Sequence, residues 1–317
     1  MPSYLVTGGC GFIGSHLADA LVAAGHRVRI LDDLSTGRRK NAPAAAEIVV
    51  GDVADAATVR SAMAGMDGCY HLAAIASVQR SNEDWAGTHR VNLTGTINVF
   101  DAARAARPGG PIPVVYISSA AVYGDNDAVP LAEDAATRPL TAYGADKLGC
   151  ELHARVAYEV HGVPTAGFRF FNIYGPRQDP KSPYSGVISI FVDRLRDGKP
   201  VEIHGDGEQT RDFVYVGDAV RFMVAGMKSL PAAPELFNVC RGEGTSINAL
   251  ARTLARVAGK TADLRHGAPR AGDIRRSVGN PAHARAVLGI VAETPVEDGL
   301  RATVASLTGA PAELAAG

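Results

Sequence analysis

The sequence predicts an α/β fold in which a parallel β-sheet carries helices on both faces. Through the first half of the chain, short runs rich in β-branched and aromatic residues alternate with longer amphipathic patterns. Strands that alternate with helices in this way are joined by right-handed crossovers and lie parallel in one sheet. A glycine-rich turn stands between the first strand and the first helix, where doubly wound sheets bind phosphate groups. We therefore expect a doubly wound parallel sheet of the Rossmann type.

The predicted elements follow one another in order along the chain. We expect strands at Tyr4–Thr7, Arg27–Asp32, Glu47–Val50, Cys69–Leu72, Val114–Ser118 and Thr165–Phe170. Between them we expect helices at Ile13–Ala24, Ala56–Ala64, Asp84–Ala106 and Ala142–His161. From residue 172 onward, loops rich in Pro, Gly and Tyr precede a helix at Val187–Arg196 and several short strands.

This change of pattern predicts two parts of unequal size. Residues 1–171 are expected to form the nucleotide-binding domain, and residues 172–317 a smaller C-terminal α/β lobe that binds the substrate. A strand at Glu235–Val239 is expected to return to the main sheet, and the tail 309–317 is expected to fray.

The composition excludes several classes of function. The 317 residues carry 32 basic and 33 acidic side chains, a formal net charge of −1. Such a chain lacks the electrostatic basis for binding bulk nucleic acid or an anionic membrane, and its uncharged runs are too interrupted by Gly and Pro to span a bilayer. The cysteines at positions 10, 69, 150 and 240 are too dispersed for a zinc site or a disulfide framework. We expect a cytoplasmic protein with reduced thiols and no bound metal.

The glycine turn after the first strand has the spacing of a dinucleotide-binding loop. Gly8 permits the tight turn, Gly11 lets the backbone approach a pyrophosphate, and Gly14 allows close packing of helix on sheet. Because ordinary turns also contain such triplets, the context matters. The second strand ends in Asp32, where a carboxylate can accept both hydroxyls of an adenosine ribose and repels a 2′-phosphate. We therefore expect NAD rather than NADP.

Two nearby pairs of residues have more than one interpretation. Asp52 and Val53 follow the third strand and can contact an adenine, but Asp52 fits equally well as the N-cap of the next helix. Arg38 and Arg39 lie close to the expected ribose site. We interpret them as part of a solvated loop.

A tyrosine and a lysine lie four residues apart in the helix after the fifth strand. Tyr143 and Lys147 therefore share one helix face. An ammonium group beside a phenol favours the phenolate, which can take a hydroxyl proton while hydride leaves the same carbon. An ordinary amphipathic pair has the same spacing, but the position in a dinucleotide fold favours catalysis. Ser118 and Ser119 lie at the C-terminal end of the predicted fifth strand, where ligands bind in open sheets, so a serine there can pass a proton to Tyr143.

Motifs in the second half of the chain add to those already described in the first half. The motifs are Gly8–Gly14, Asp32, His71–Ala74, Val91–Asn92, Ser118–Gly124, Tyr143–Lys147, Arg169–Pro180, His204–Gly207 and Thr210–Phe213. Together they resemble the extended short-chain dehydrogenase/reductase family, and within it the nucleotide-sugar epimerases, especially the UDP-hexose 4-epimerases. The resemblance covers the chain from about residue 3 to about residue 305.

The resemblance implies roles for individual residues. It implies a catalytic set formed by Ser119, Tyr143 and Lys147. It implies a tightly bound NAD contacted by Gly8, Gly11, Phe12, Ile13, Gly14, Asp32, Asp33, Asp52, Val53, Leu72, Ala73, Ala74, Asn92, Ser118, Tyr143, Lys147 and Phe170. It implies a UDP-sugar contacted by Ser77, Ser119, Tyr143, Asn172, Val187, His204, Arg211, Arg270, Asp273 and Ser277.

Some of these substrate contacts also have ordinary explanations. The resemblance implies that Arg211 and Arg270 bind the diphosphate and that Asp273 binds the uridine ribose, and paired arginines do complement a dianion. Each arginine also fits a plain surface charge. Ser77 and Ser81 can contact the sugar but fit loop or N-cap positions as well.

The reaction implied by the resemblance is redox-neutral overall. Tyr143 removes the proton of the sugar O4 as the C4 hydride passes to NAD, the 4-keto sugar rotates, and the hydride returns to its other face. Related 4,6-dehydratases carry an Asp-Glu pair after the serine, whereas this chain has Ala120 and Ala121, so a dehydratase is disfavoured. Uronate 4-epimerases tend to carry Thr in place of Asn172. Ser277 stands at the gatekeeper position beside the sugar C2 and leaves room for an N-acetyl group.

These sequence features do not decide whether the substrate is UDP-glucose, UDP-N-acetylglucosamine or a UDP-uronate. An NAD-dependent nucleotide-sugar dehydrogenase or reductase is the alternative reaction, and a catalytically silent NAD-binding protein is disfavoured because the tyrosine, lysine and serine are all present. The helices Asp84–Ala106 and Ala142–His161 have broad apolar faces. The family pairs these helices in a dimer, although burial within one chain would also explain them, and we expect a homodimer.

Overall fold

A parallel sheet forms the centre of the computed structural model, which describes residues 1–179, 186–230, 233–270 and 273–308. The predicted frayed tail lies outside the described residues. The strands are β1 (Ser3–Thr7), β2 (Arg27–Asp32), β3 (Glu47–Val50), β4 (Gly68–His71), β5 (Val114–Ser119), β6 (Thr165–Phe170), β7 (Asn172–Tyr174), β8 (Val201–His204), β9 (Thr210–Arg211), β10 (Phe213–Tyr215), β11 (Glu235–Val239), β12 (Thr245–Ser246), β13 (Leu264–Gly267) and β14 (Arg276–Ser277).

Helices cover this sheet and build the second lobe. They are α1 (Phe12–Ala23), α2 (Ala56–Met63), α3 (Val78–Glu83), α4 (Trp85–His89), α5 (Gly95–Arg104), α6 (Ala142–His161), α7 (Val187–Arg196), α8 (Val216–Lys228), α9 (Ile247–Val257), α10 (Ala282–Leu288) and α11 (Val296–Thr308). Short 3₁₀ turns occupy Arg39–Asn41 and Ala120–Tyr123, and a π-helical turn occupies Arg90–Thr94.

Within the described residues, the main sheet has seven parallel strands in the order β11-β6-β5-β4-β1-β2-β3. This order confirms the predicted Rossmann-type fold. The direction of winding reverses between β1 and β4, and ligands of such sheets bind beyond the strand ends at this point. The strand Glu235–Val239 lies at the sheet edge beside β6, although it comes from the second half of the chain.

Two apolar layers hold the sheet, because helices on both faces bury its central strands from both sides. On one face α1 and α8 supply Leu17, Leu21, Phe222 and Met223. On the other face, the core draws on α2, α5 and α6. Strand β6 is buried along its whole length, including its arginine, Arg169.

The second lobe has its own core and its own small sheets. Helices α7, α9 and α11 enclose a separate apolar cluster together with β8 and β10. Strand β9 pairs with β12 on one side and with β14 on the other. The β9–β14 register places Arg211 opposite Ser277, so two predicted substrate residues lie side by side.

One predicted helix differs from the observed structure. The expected single helix Asp84–Ala106 consists of α4, the π-helical turn and α5. A π-helical turn adds a residue within a helix and often occurs at functional sites. Here the turn carries Asn92, a predicted cofactor residue that is completely buried. In the described part of the chain, no helix has the length and apolar character needed to cross a membrane.

Candidate active site

The glycine turn between β1 and α1 leaves no room for side chains. Gly8 has a φ of +69°, and a Cβ there would lie 2.8 Å from the backbone nitrogen of Ala73. A Cβ on Gly14 would lie 2.2 Å from the carbonyl oxygen of Gly8. Helix α1 begins after Gly11 without a cap from any described side chain and without an acidic residue in its first turn. Its backbone N–H groups, including those of Phe12 and Ile13, thus suit a bound diphosphate.

Asp32 joins the glycine turn to the end of β2. Its carboxylate accepts the Cys10 N–H and the Leu34 N–H, each at 2.9 Å. Burial raises the pKa of Asp32, and the two backbone hydrogen bonds partly offset this rise. The next residue, Asp33, is exposed and accepts a hydrogen bond from Ser35. The carboxylate of Asp32 is therefore held beside the turn, where a ribose is expected.

A row of buried, hydrogen-bonded side chains holds the loop after β4 in place. The His71 ring lies 2.7 Å from the Thr7 hydroxyl through Nδ1 and 2.9 Å from the Thr96 hydroxyl through Nε2. Burial, with a smaller contribution from the charge of Lys147, lowers the pKa of His71 to about 3. The imidazole is therefore neutral at physiological pH. Thr7 also accepts the N–H groups of Leu72 and Ala73, which fixes these two predicted cofactor residues, and Ala74 follows them in the loop.

Two of the predicted ligand residues bind the protein's own backbone. The Asn92 amide accepts the Ile75 N–H at 2.7 Å and donates to the Ile75 carbonyl at 3.2 Å. Ser77 caps α3 by accepting the Arg80 N–H at 3.1 Å. The structure thus places Asn92 behind the loop that follows β4, and it gives Ser77 the N-cap position that the sequence also allowed.

Tyr143 and Lys147 lie in the first turns of α6, next to β5. The Lys147 ammonium is buried, donates to the Ile117 carbonyl at 2.8 Å and lies 6.0 Å from the centre of the Tyr143 ring. The backbone N–H of Tyr143 donates to Ser81 at 3.2 Å. A Cβ on Gly144 would lie 2.8 Å from the Ala121 carbonyl oxygen. The start of α6 therefore packs directly on the turn after Ser119.

The two serines at the end of β5 have different environments. Ser118 is 1% exposed and donates to Glu151 Oε1 at 2.5 Å. Ser119 is partly exposed and accepts the Ala121 N–H at 3.1 Å. In the sheet register, Ser119 pairs with Phe170 of β6, the predicted neighbour of the nicotinamide. Ser119 is thus the serine available to a ligand, and any contact of Ser118 with a cofactor falls to its backbone.

The arrangement at the end of β5 can transfer protons. A phenol, an ammonium group and a serine hydroxyl lie on two elements that are in direct contact. The ammonium group of Lys147 lies on the same side of α6 as the Tyr143 ring, 6.0 Å from its centre. A hydroxyl on a bound ligand can therefore give its proton to Tyr143, with Ser119 as a hydrogen-bonding partner.

The predicted substrate residues of the second lobe form two groups. Asn172 and Val187 line one small cavity of about 30 Å³ together with Gln178 and Phe213. The other group surrounds β9, in the lobe's three-stranded sheet.

In the second group, Arg211 forms an ion pair with Asp273 and donates to the Ile274 carbonyl at 2.7 Å. Burial lowers the pKa of Arg211, and the charge of Asp273 opposes this shift. Arg270 and His204 are exposed, and the Arg270 carbonyl accepts the Asp273 N–H at 3.3 Å. Asp273 therefore connects the two predicted diphosphate arginines.

One interpretation made from the sequence is wrong. The N-cap of α2 is Asp55, which accepts the Ala57 N–H at 3.0 Å, and not Asp52. Asp52 accepts the Ala54 N–H and pairs with Arg90, each at 2.8 Å, because it lies in the turn before the cap. The neighbouring Val53 is buried.

Arg38 and Arg39 are both exposed, as expected for a solvated loop, and Arg38 also pairs with Asp179 of the second lobe while remaining half exposed. The motif that contains Asp179 ends at Pro180, which lies outside the described residues.

The structure also shows two buried polar residues, Glu151 and Arg169, for which the sequence predicted no individual role. Glu151 and Arg169 form a bidentate ion pair, with both side chains only 4% exposed. Glu151 stands four residues after Lys147 on the same helix. This continued spacing was the signal that could have indicated it.

Comparisons with known proteins agree with this geometry. The profile of the NAD dependent epimerase/dehydratase family matches residues 4–240. The chain is 38% identical over 308 residues to a UDP-glucose 4-epimerase of Mycolicibacterium smegmatis, covering 95% of this chain and 96% of the relative.

Solved structures are similar over almost the full length. A UDP-glucose 4-epimerase of Thermotoga maritima with UDP-glucose is 32% identical, with a TM-score of 0.92 and coverage of 97% and 99% of the two chains. A UDP-glucose 4-epimerase of Thermus thermophilus with NAD is 35% identical, with a TM-score of 0.88 and coverage of 98% and 100%. Other matches are named for UDP-N-acetylglucosamine and UDP-glucuronate epimerases. This chain belongs to the NAD dependent epimerase/dehydratase family and uses NAD as its cofactor.

Proposed function

We propose that this protein is an NAD-dependent nucleotide-sugar 4-epimerase that interconverts UDP-glucose and UDP-galactose. The observation that carries the proposal is the contact between the start of α6, with Tyr143 and Lys147, and the end of β5, with Ser119. This proton-transfer set follows a turn shaped to accept a dinucleotide. NAD, when bound, accepts the hydride from the sugar C4 and returns it.

The residues of this chain would handle the proton and the orientation of the sugar. Tyr143 takes the O4 proton and later returns it, Lys147 holds its ammonium group near the Tyr143 ring, and Ser119 donates a hydrogen bond to the reacting oxygen. Arg211 and Arg270 would hold the diphosphate, with Asp273 released from Arg211 to bind the uridine ribose. Anchoring the diphosphate while leaving the sugar free to turn allows the hydride to return to the other face of C4.

The substrate proposal rests on residues around the expected sugar. Ser277 lies beside Arg211 in the β9–β14 pair, and its small side chain leaves space for an N-acetyl group. UDP-N-acetylhexosamines are therefore proposed as a second substrate pair. Ala120 and Ala121 supply no acid or base for a dehydration, and Asn172 favours a neutral hexose over a uronate.

A direct assay tests this function. The purified protein is incubated separately with UDP-glucose, UDP-N-acetylglucosamine and UDP-glucuronate, without added NAD, and the C4 epimers are resolved. We expect NAD to remain bound through purification, UDP-galactose to form from UDP-glucose, and no NADH to accumulate. Turnover that requires stoichiometric external NAD would show a dehydrogenase instead. Epimerisation of UDP-glucuronate alone would show a uronate epimerase.

We also propose that two copies of the chain pair through α5 and α6. These adjacent helices expose large apolar side chains, among them Ile97, Leu152, Val156 and Val160. Exposed apolar patches on soluble proteins commonly mark interfaces. This surface fits a homodimer. The near-neutral charge balance gives no basis for binding a membrane or nucleic acid, and we propose a cytoplasmic location.

Charges on this face should separate the two copies. We expect a Leu152→Glu/Val156→Glu variant to elute as a monomer, because two carboxylates cannot be buried unpaired in an apolar interface. Light scattering after size-exclusion chromatography measures the mass. Val287→Glu is the matched control, since Val287 is 44% exposed on α10, and it should leave the dimer intact. A monomeric wild-type protein would contradict the proposal.

A further inference from the structure

A buried ion pair lies directly behind the end of β5 that carries Ser119. Arg169 donates from Nε to Glu151 Oε1 at 2.8 Å and from Nη2 to Oε2 at 2.7 Å. Glu151 stands one turn after Lys147 in α6, and Arg169 stands next to Phe170 in β6. The pair therefore joins the two elements that flank the strand end, and we call it the Glu151–Arg169 pair.

The Glu151–Arg169 pair holds the Ser119 segment on both sides. Before Ser119, the Ser118 hydroxyl donates to Glu151 at 2.5 Å. After Ser119, Arg169 Nη1 donates to the hydroxyl of Tyr123 at 2.9 Å. Ser118 and Tyr123 are both essentially unexposed, so these bonds are protected from competing water.

The far side of this network is anchored as well. The Tyr123 hydroxyl donates to Asn238 Oδ1 at 2.7 Å, and the Asn238 N–H donates to Glu133 Oε1 at 2.7 Å. Because Asn238 belongs to the edge strand β11, the network extends across five elements: α6, β5, the 3₁₀ turn Ala120–Tyr123, β6 and β11. The segment from Ser118 to Tyr123 is thus fixed against the sheet rather than only by its own turn.

Stability alone is a weak reason for such a pair. Burying two charges costs desolvation energy, and an apolar pair of similar volume often stabilises a fold as well or better. What an apolar pair cannot do is direct hydrogen bonds to Ser118 and Tyr123. The side chain of Ser119 itself is seen to bond only the Ala121 N–H among the described residues.

We propose that the Glu151–Arg169 pair positions Ser119 toward Tyr143, acting through Ser118 and Tyr123. The inference rests on the proposed epimerase reaction, in which Ser119 bonds the reacting oxygen. Lys147 of the same helix donates to the Ile117 carbonyl at 2.8 Å, and Glu151 accepts from Ser118. Side chains of α6 therefore bind two consecutive residues of β5. The spacing between the serine and the tyrosine is thereby set by side chains that do not contact the sugar.

Two conservative variants test the proposal, because both leave the ion pair in place. Ser118→Ala and Tyr123→Phe each remove one hydroxyl that connects the Ser119 segment to the ion pair by a hydrogen bond. We expect each to lower kcat about tenfold and to change KM for UDP-glucose less than about twofold. Thr303→Val is the control: Thr303 is completely buried in α11 and donates to the Gly299 carbonyl at 2.7 Å. The control should lower Tm to a similar extent without lowering kcat.

A double-mutant cycle with Ser119→Ala distinguishes positioning from independent structural damage. If Ser118 acts only through Ser119, then Ser118→Ala/Ser119→Ala is no slower than Ser119→Ala alone. The inference is overturned if the decreases in kcat of the two single variants multiply in the double variant, or if the single variants have an unchanged kcat. Neither result affects the proposed function as long as the wild-type protein forms the epimer. A wild-type protein that forms no epimer, yet retains NAD, would instead overturn the proposed function.

Discussion

Replacing Tyr143 by Phe is expected to lower kcat for epimerisation by about 10²- to 10⁴-fold, the usual loss when a positioned proton-transfer group is removed. The change deletes one oxygen and keeps the aromatic ring beside Lys147. Because Tyr143 is held through its backbone N–H by Ser81, the start of α6 should stay in place. The quantity to measure is the rate at which UDP-galactose forms from UDP-glucose.

A matched variant makes this result specific. Tyr158 lies on the same helix, 15 residues after Tyr143, or about 22 Å along its axis. Tyr158→Phe deletes the same atom from the same residue type and should keep wild-type turnover. Both variants should retain bound NAD. A Tyr143→Phe protein that keeps half or more of the wild-type kcat would remove Tyr143 from the mechanism.

The elements of the main sheet were predictable because short runs rich in apolar residues alternate with helical patterns. The strands Thr165–Phe170 and Glu235–Val239 begin and end as the sequence indicates, although the partners of their polar residues Arg169 and Asn238 come from packing. The helix Asp84–Ala106 could not be predicted in detail. Its π-helical turn puts Asn92 against the backbone of Ile75, and that contact depends on a loop 17 residues away.

The site was predictable where spacing along one element carries the information. Tyr143 and Lys147 share a helix face by their separation alone. The choice between Ser118 and Ser119 is different, since neighbouring residues of a strand point to opposite faces and only packing decides which face meets the ligand. In the same way, Asp52 and Asp55 both satisfy the chemistry of an N-cap, and the path of the chain selects Asp55.

Removing one partner of the Glu151–Arg169 pair is expected to have the largest effect on stability. A Glu151→Leu variant leaves the Arg169 charge buried without its carboxylate, which costs about 3–5 kcal/mol. For a chain of this size, that corresponds to a decrease in Tm of roughly 10 °C. Thermal unfolding of the NAD-bound protein at one fixed concentration measures it, because ligand and subunit concentrations both shift Tm. Glu243→Leu is the control, since Glu243 pairs with Arg241 while 70% exposed, and exposed pairs contribute at most about 1 kcal/mol.

The double variant Glu151→Leu/Arg169→Met separates stability from positioning. Because both charges are absent from this variant, no charge is left buried without a partner, and apolar contacts replace the ion pair. We expect it to recover at least half of the decrease in Tm that Glu151→Leu causes. We expect kcat to stay about tenfold or more below the wild-type value, because Ser118 and Tyr123 have no partner on the new side chains. Recovery of Tm together with kcat would make the pair a structural element only. Loss of kcat in a protein that is stable again and still retains NAD supports the proposal that the ion pair sets the position of the serine.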